Sequence, residues 1–263
     1  MQLPRAKEKE LRALQSPHGR KKSDLLLVEG VRAIGTMLDC GKQADYFVCA
    51  PGHFSRTGKD FLARLESLGT PLYECDSKQF AALAETEHSQ GFLAVTSRAE
   101  LLAAGTQGLE NARLIVYLDG ISDPGNLGTI IRTAAAFGVD LLALSPDSAD
   151  YGNPKVVRAS AGTIFALPLL PVDDPDTFFA HIESKRMELI AADSAAETSL
   201  EDLQIRESAC IVLGAEATGL SRQVLAHNPR LFRIPLARQV ESLNVAAAAA
   251  IAINRVAERM KLI

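Results

Sequence analysis

LIVYLDGISDPGNLGTIIRTAAAFGVD, residues Leu114–Asp140, decides the fold. An apolar run ends at Asp119, the loop GISDPGNLG turns, and a helix rich in small residues continues past Arg132. A short apolar run feeding a helix through a glycine-containing turn is the start of a parallel βαβ unit. In such sheets the crevice beyond the carboxyl ends of the strands is where ligands bind. Asn126 stands at or near the expected helix N-cap, where an amide oxygen accepts a free backbone N–H. Arg132 lies six residues on, among Ile130, Ile131, Ala134 and Ala135, and a guanidinium in such company needs a specific partner. Phosphate is one, because the guanidinium fork matches it bidentately.

The loop excludes two nucleotide-enzyme classes. A dinucleotide fingerprint needs GxGxxG, which is absent here. A Walker loop needs lysine after GxxxxG, and Asn126 occupies that position after Gly120–Gly125.

Two further segments follow the same pattern. IVLGAEATGLS (Ile211–Ser221) runs from an apolar strand into Gly214, Glu216 and Gly219. Glycines there let backbone approach a flat ligand, and a carboxylate after a strand end can bind a hydroxyl or pair with arginine; a tight turn with a solvent-facing glutamate is the plainer alternative. FRIPLARQVESLNVAAAAAIAINRV (Phe232–Val256) brings a short strand to Ile234-Pro235, then a polar loop, then an alanine-rich helix that Ser242 is placed to cap.

Outward from these, strands alternate with helices along the whole chain. Leu25–Glu29, Asp45–Ala50, Leu72–Asp76 and Gly91–Ser97 read as strands in the front, and Leu114–Leu118, Leu141–Leu144, Leu189–Ala192 and Ala209–Leu213 as buried parallel strands in the back. Ala103–Ala112 loses its periodicity and reads as a linker. The expectation is an α/β protein of two domains, 1–105 and 106–263.

Composition agrees. The 263 residues are 47% hydrophobic and 23% charged, as in a globular protein. The longest apolar run, Val245–Ile253, falls well short of the ~20 residues a membrane span needs. The charged N-terminus has no apolar signal core, and the four cysteines form no CxxC pair or zinc pattern. A cytoplasmic protein without a metal is expected. The net charge of −4 is unevenly spread: residues 1–22 hold seven Lys/Arg against two acids, net +5, whereas residues 108–263 hold 14 bases and 19 acids, net −5. The basic segment can supply salt-dependent attraction to phosphate, or can simply be a solvated helix.

The order and spacing of NLGTIIRTA, LGAEATGLS and IPLARQVESLNVAAAAAIA resemble the three motifs of the SpoU/TrmH-type branch of the SPOUT RNA methyltransferases. The likeness runs through residues 112–260, including NPKVVRASAGTIFALPL (Asn153–Leu169). LLLVEGVRAI and HSQGFLAVT in the front half resemble the small, ribosomal-protein-like α/β domain that binds RNA ahead of the catalytic domain. One departure is Ala246, where relatives often carry serine.

The resemblance implies methyl transfer from S-adenosylmethionine to a ribose 2′-hydroxyl of RNA, by a doubly wound domain tied in a trefoil knot and working as a homodimer. The RNA is ribosomal before transfer, by family habit, and the nucleoside is open. Leu213, Gly214, Ile234 and Leu243 would hold the cofactor, while Arg132, Asn126, Glu216, Ser242 and Asn244 would converge on the RNA side. A guanidinium stays protonated (pKa above ~12), so Arg132 would bind phosphate and stabilise developing alkoxide charge, with Glu216 orienting Arg132 or Asn126. The competing class is a knotted RNA-binding protein without catalysis.

Overall fold

The computed structural model describes residues 1–86, 89–205, 207–237 and 240–263. His88 of HSQGFLAVT, and Arg238 and Gln239 of the third segment, lie outside the described residues. The chain forms two compact units, residues 1–101 with 150–166, and residues 102–149 with 167–263.

The first unit begins with α1 (Arg5–Gln15) and α2 (Pro17–Lys21). A four-stranded sheet follows, of β1 (Leu25–Glu29), β2 (Tyr46–Cys49), β3 (Leu72–Glu74) and β4 (Phe92–Ser97) in the order β1-β4-β2-β3. β4 runs antiparallel to both neighbours, and β2 and β3 are parallel. Helices α3 (Val31–Asp39), α4 (Arg56–Glu66), α5 (Ser77–Ala81) and α6 (Ala99–Leu102) connect and follow the strands.

The basic N-terminal segment is more than a solvated helix. Leu11 and Leu14 of α1 are buried in the core with Leu27, Tyr46 and Val48. The Tyr46 hydroxyl donates to Glu10 (2.7 Å), and the Lys7 ammonium lies 4.3 Å from the centre of the Tyr46 ring.

The second unit opens with α7 (Gly105–Asn111), in the stretch that the sequence reads as a linker. The periodicity fails there because glycines replace apolar side chains to let backbones touch. A Cβ on Gly105 would stand 2.2 Å from the Leu169 carbonyl oxygen. Then come β5 (Leu114–Asp119), α8 (Pro124–Ala136) and β6 (Leu141–Leu144). The chain next contributes 150–166, with α9 (Pro154–Ala159), to the first unit, where Val156, Val157 and Ile164 are fully buried. The sequence reading assigns those residues to the second domain; their apolar side chains instead complete the packing of the first.

The chain returns for β7 (Leu169–Pro171), α10 (Pro175–Ser184), β8 (Glu188–Ala192), β9 (Ala209–Gly214), α11 (Arg222–Ala226), β10 (Arg230–Phe232) and α12 (Val245–Arg259). All six strands of this unit are parallel, in the order β10-β8-β9-β5-β6-β7. One apolar cluster joins Tyr117, Val212, Phe178, Phe179 and Ile182. α8 packs against α12; Ile130, Ile131 and Ala134 are buried on one helix and Ala249, Ala252, Ile253 and Val256 on the other. Alanine on α12 leaves room for that close approach.

A partly buried charge cluster secures 150–166 to the first unit. Arg20, 5% exposed, donates to Asp150 (2.8 Å) and to the carbonyls of Leu14 and Gln15, and Arg98 donates to the other Asp150 oxygen (3.2 Å). Burial pushes the Asp150 carboxyl up, but the Arg20 hydrogen bond, the Arg98 charge and the Gly152 amide outweigh it and hold it below the usual range. Removing the carboxylate leaves a buried guanidinium without its counterion, so Asp150→Ala should destabilise the protein by about 2–3 kcal/mol at neutral pH. A group with a depressed native pKa stabilises fully above its unfolded value, ~3.9, and loses that contribution as pH falls through the native one. Melting curves of the two proteins should therefore differ most at neutral pH and converge in acid. An unchanged Tm at pH 7 would contradict the assignment.

Candidate active site

Three loops at the carboxyl ends of β5, β9 and β10 meet. The first begins α8. Its N-cap is Asp123, whose carboxylate accepts from the Asn126 amide (2.8 Å), with Pro124 in the first turn. Asn126 is thus three residues inside the helix rather than its cap. Aspartate followed by proline is the usual opening of a helix, and it leaves the Asn126 side chain available.

Glu216 follows β9. A single oxygen of its carboxylate accepts from Asn126 Nδ2 (3.3 Å), Asn244 Nδ2 (2.8 Å) and the backbone N–H of Val245 (2.9 Å). Asn244 Nδ2 also donates to Asn126 Oδ1 (3.0 Å). The remaining Asn244 oxygen accepts from Ala246 and Ala247, so Asn244 caps α12, the role the sequence offered to Ser242. That double acceptance fixes which end of the amide faces Glu216, because the reversed amide would set two oxygens together. A carboxylate on the first amide of α12 is also favoured by the helix dipole. Glu216 accepts from Asn126, and makes no hydrogen bond or ion pair with Arg132 among the described residues.

Arg132 is exposed and makes no hydrogen bond or ion pair among the described residues. Six residues along a helix is about 9 Å and a rotation of roughly 240°, so Asn126 and Arg132 leave α8 in different directions.

Beside the three-residue cluster lies a cavity of about 210 Å³. Leu213, Gly214, Ile234 and Leu243 line it, with Glu216 and Ser242 on its wall. Ala192, Asp193 and Ser194, at the end of β8, line it too, and sequence reasoning missed them. Their signal was position alone, immediately past a parallel strand. The backbone amides of Ile234 and Leu243 make no hydrogen bond among the described residues. No group of three His, Cys, Asp or Glu able to hold a metal is found among the described residues, nor a helix long and apolar enough to cross a membrane.

Gly214 has a tighter constraint than ligand contact. A Cβ there would stand 2.5 Å from the carbonyl oxygen of Gly219, whose chain folds back in hydrogen bonds with Ala215. Gly214→Ala should therefore displace the turn that carries Glu216, lowering Tm by several degrees before any ligand is added. A wild-type melting curve would contradict this.

The comparisons agree with the geometry. Residues 113–254 match the SpoU rRNA Methylase family, and residues 6–94 match the MRM3-like substrate binding domain. An uncharacterized tRNA/rRNA methyltransferase of Synechocystis sp. is 32% identical over 91% of this chain and 86% of its own. The 23S rRNA (guanosine(2553)-2′-O)-methyltransferase RlmP of Bacillus subtilis is 29% identical over 93% of each chain. Among solved structures, an AdoMet-bound rRNA methyltransferase from Sinorhizobium meliloti superimposes with a TM-score of 0.80 at 25% identity, covering 98% of this chain and 96% of that one. With the family's motifs joined in one hydrogen-bonded cluster beside a cavity, the chain belongs to the SpoU rRNA methylase family.

Proposed function

We propose that this protein transfers a methyl group from S-adenosylmethionine to a ribose 2′-hydroxyl of ribosomal RNA. The observation that carries the reading is the convergence of Asn126, Glu216 and Asn244, from three distant segments, on the rim of a largely apolar cavity. The cavity suits the cofactor. Leu213, Ile234, Leu243 and Val245 offer apolar surface for a purine, and the amides of Ile234 and Leu243, without a partner among the described residues, offer donors for its edge. Bound there, the cofactor supplies an electrophilic methyl group on sulfur.

The chain's part is positioning and electrostatics. The Asn126–Glu216–Asn244 cluster fixes the mouth of the cavity against the ends of α8 and α12, so that an incoming hydroxyl meets a preorganised polar rim. Arg132, without a hydrogen-bond or ion-pair partner among the described residues, would bind an RNA phosphate and stabilise negative charge on the ribose 2′-oxygen. Ser242 faces the same cavity and contacts the ligand. The reading extends to a trefoil-knotted C-terminal segment and a homodimer, with Ile251, 43% exposed on α12, on the pairing surface.

Ribosomal RNA is favoured over transfer RNA by the name of the family and that of the Bacillus relative. Guanosine is the nucleoside to test first, on the same relative's name. Mapping of 2′-O-methyl sites in RNA from a deletion strain tests both.

Arg132→Ala should lose methyl transfer by at least a hundredfold while calorimetric affinity for S-adenosylmethionine stays within twofold. Leu243→Arg should do the reverse, removing cofactor binding from a folded protein. Wild-type turnover in the first variant, or unchanged affinity in the second, would sink the respective role.

Of the seven basic residues in 1–22, Arg20 is buried on Asp150, and Lys7 and Arg12 pair with Glu10 and Glu8. Arg5, Lys9, Lys21 and Lys22 remain exposed for phosphate. Replacing Lys9, Lys21 and Lys22 by alanine should weaken RNA binding and flatten the slope of log K against log salt by about 0.7–0.9 for each phosphate no longer neutralised. An unaltered slope would make the segment a solvated surface.

A further inference from the structure

Two carboxylates line the cavity, and only one is accounted for. Glu216 is held by Asn126, Asn244 and Val245. Asp193 has no such company. One of its oxygens accepts from the Ala195 amide (2.8 Å), its own amide donates to the Phe232 carbonyl (2.9 Å), and its second oxygen accepts no hydrogen bond among the described residues. A half-buried carboxylate fixed by its backbone, with one oxygen free beside apolar walls, is incomplete without a donor.

The strand order says which part of a ligand supplies that donor. The Asn126–Glu216–Asn244 cluster stands over the ends of β5 and β9, where the methyl group must be delivered. Asp193 stands over β8, on the other side of β9. The ribose of the cofactor is joined to the sulfur through a single carbon, so it lies next to the reacting centre and presents two adjacent hydroxyls. The methionine tail also joins the sulfur and ends in an ammonium as well as a carboxylate; pairing of that ammonium with Asp193 is the competing arrangement, which the compound lacking the tail separates below. We infer that Asp193 is the acceptor for the cofactor's ribose cis-diol, a specificity residue for the nucleoside rather than a catalytic one. This rests on the cofactor reading above.

The test is calorimetry on the full-length protein with S-adenosylmethionine, with 5′-methylthioadenosine, which keeps the diol but lacks the charged tail, and with 2′,3′-dideoxy-5′-methylthioadenosine. Asp193→Asn preserves the acceptor for Ala195, so the turn should survive, as a melting curve will show. The variant should bind S-adenosylmethionine and methylthioadenosine about tenfold more weakly, a difference of about 1.4 kcal/mol in each case. The dideoxy compound should bind wild type and variant alike. In wild type alone, the dideoxy compound should be about tenfold weaker than its parent, a comparison that holds even if the variant misfolds.

Loss confined to S-adenosylmethionine would place Asp193 at the charged tail and overturn the assignment. Equal affinity of wild type and variant for all three compounds would overturn it as well, leaving the methyltransferase reading intact. Failure of wild type to bind S-adenosylmethionine at all would bring down that reading, and this inference with it.

Discussion

One carboxylate oxygen holds the catalytic unit's working end together. Glu216 Oε1 receives donors from α8, from the residue capping α12, and from the first amide of α12 itself. The three donor residues are 90, 28 and 29 residues from Glu216 along the chain, and none of the three contacts is local. Each donor is modest in isolation, but removing the acceptor would leave two side-chain amides and a helix amide competing for water. The geometry of the rim therefore depends on β9 delivering Glu216 to this point. That in turn depends on Gly214, where the chain turns too tightly for any side chain. The Asp119 carboxylate adds a further link, accepting from Ser221 (2.6 Å) and so tying the far end of the same turn to β5.

The first unit is organised by a comparable arrangement in which only Arg20 is buried. Asp150 sits beside two arginines and the Gly152 amide. Its partners come from α2 and from the end of β4, so the cluster closes residues 150–166 onto the N-terminal segment. A partly buried ion pair of this kind is weak evidence for net stability, since desolvation offsets much of its attraction. Its directional hydrogen bonds do specify which segment goes where, a task that apolar packing of Val156, Val157 and Ile164 alone would leave loosely defined.

What was legible in the sequence follows from these two cases. The parallel strands of the second unit are near-continuous apolar runs, so periodicity exposed them, and the three loops at their carboxyl ends were findable by rule. The family motifs identified Arg132, Asn126, Glu216, Ser242 and Asn244 as a set, and the structure joins three of the five, Asn126, Glu216 and Asn244, directly. The hydrogen-bond partners were another matter. Whether Asp123 or Asn126 caps α8, and whether Ser242 or Asn244 caps α12, turns on backbone angles that neighbouring polar residues satisfy almost equally well. The destination of 150–166 was illegible for a different reason: Asp150 and Arg20 are 130 residues apart, and no local pattern announces a pairing at that distance. Asp193 carried no motif, and only the position of its strand beside β9 brings it to the cavity.

Arg132 reverses the usual inference from an apolar neighbourhood. In the sequence it stands among isoleucines and alanines, company in which a guanidinium needs a specific partner, phosphate among them. The helix shows how that partner can come from outside. Ile130, Ile131 and Ala134 turn toward the core and α12, while Arg132, on the opposite face, is left to solvent. Its neighbours in sequence thus explain how rigidly α8 is held, and say nothing of what the guanidinium touches. A side chain carried on a well-packed helix, without a partner among the described residues, is available to a ligand from outside and gives up no contact with those residues when that ligand binds. Those are the properties that recognition of an RNA phosphate requires, and they arise from the apolar residues that hold α8 in place.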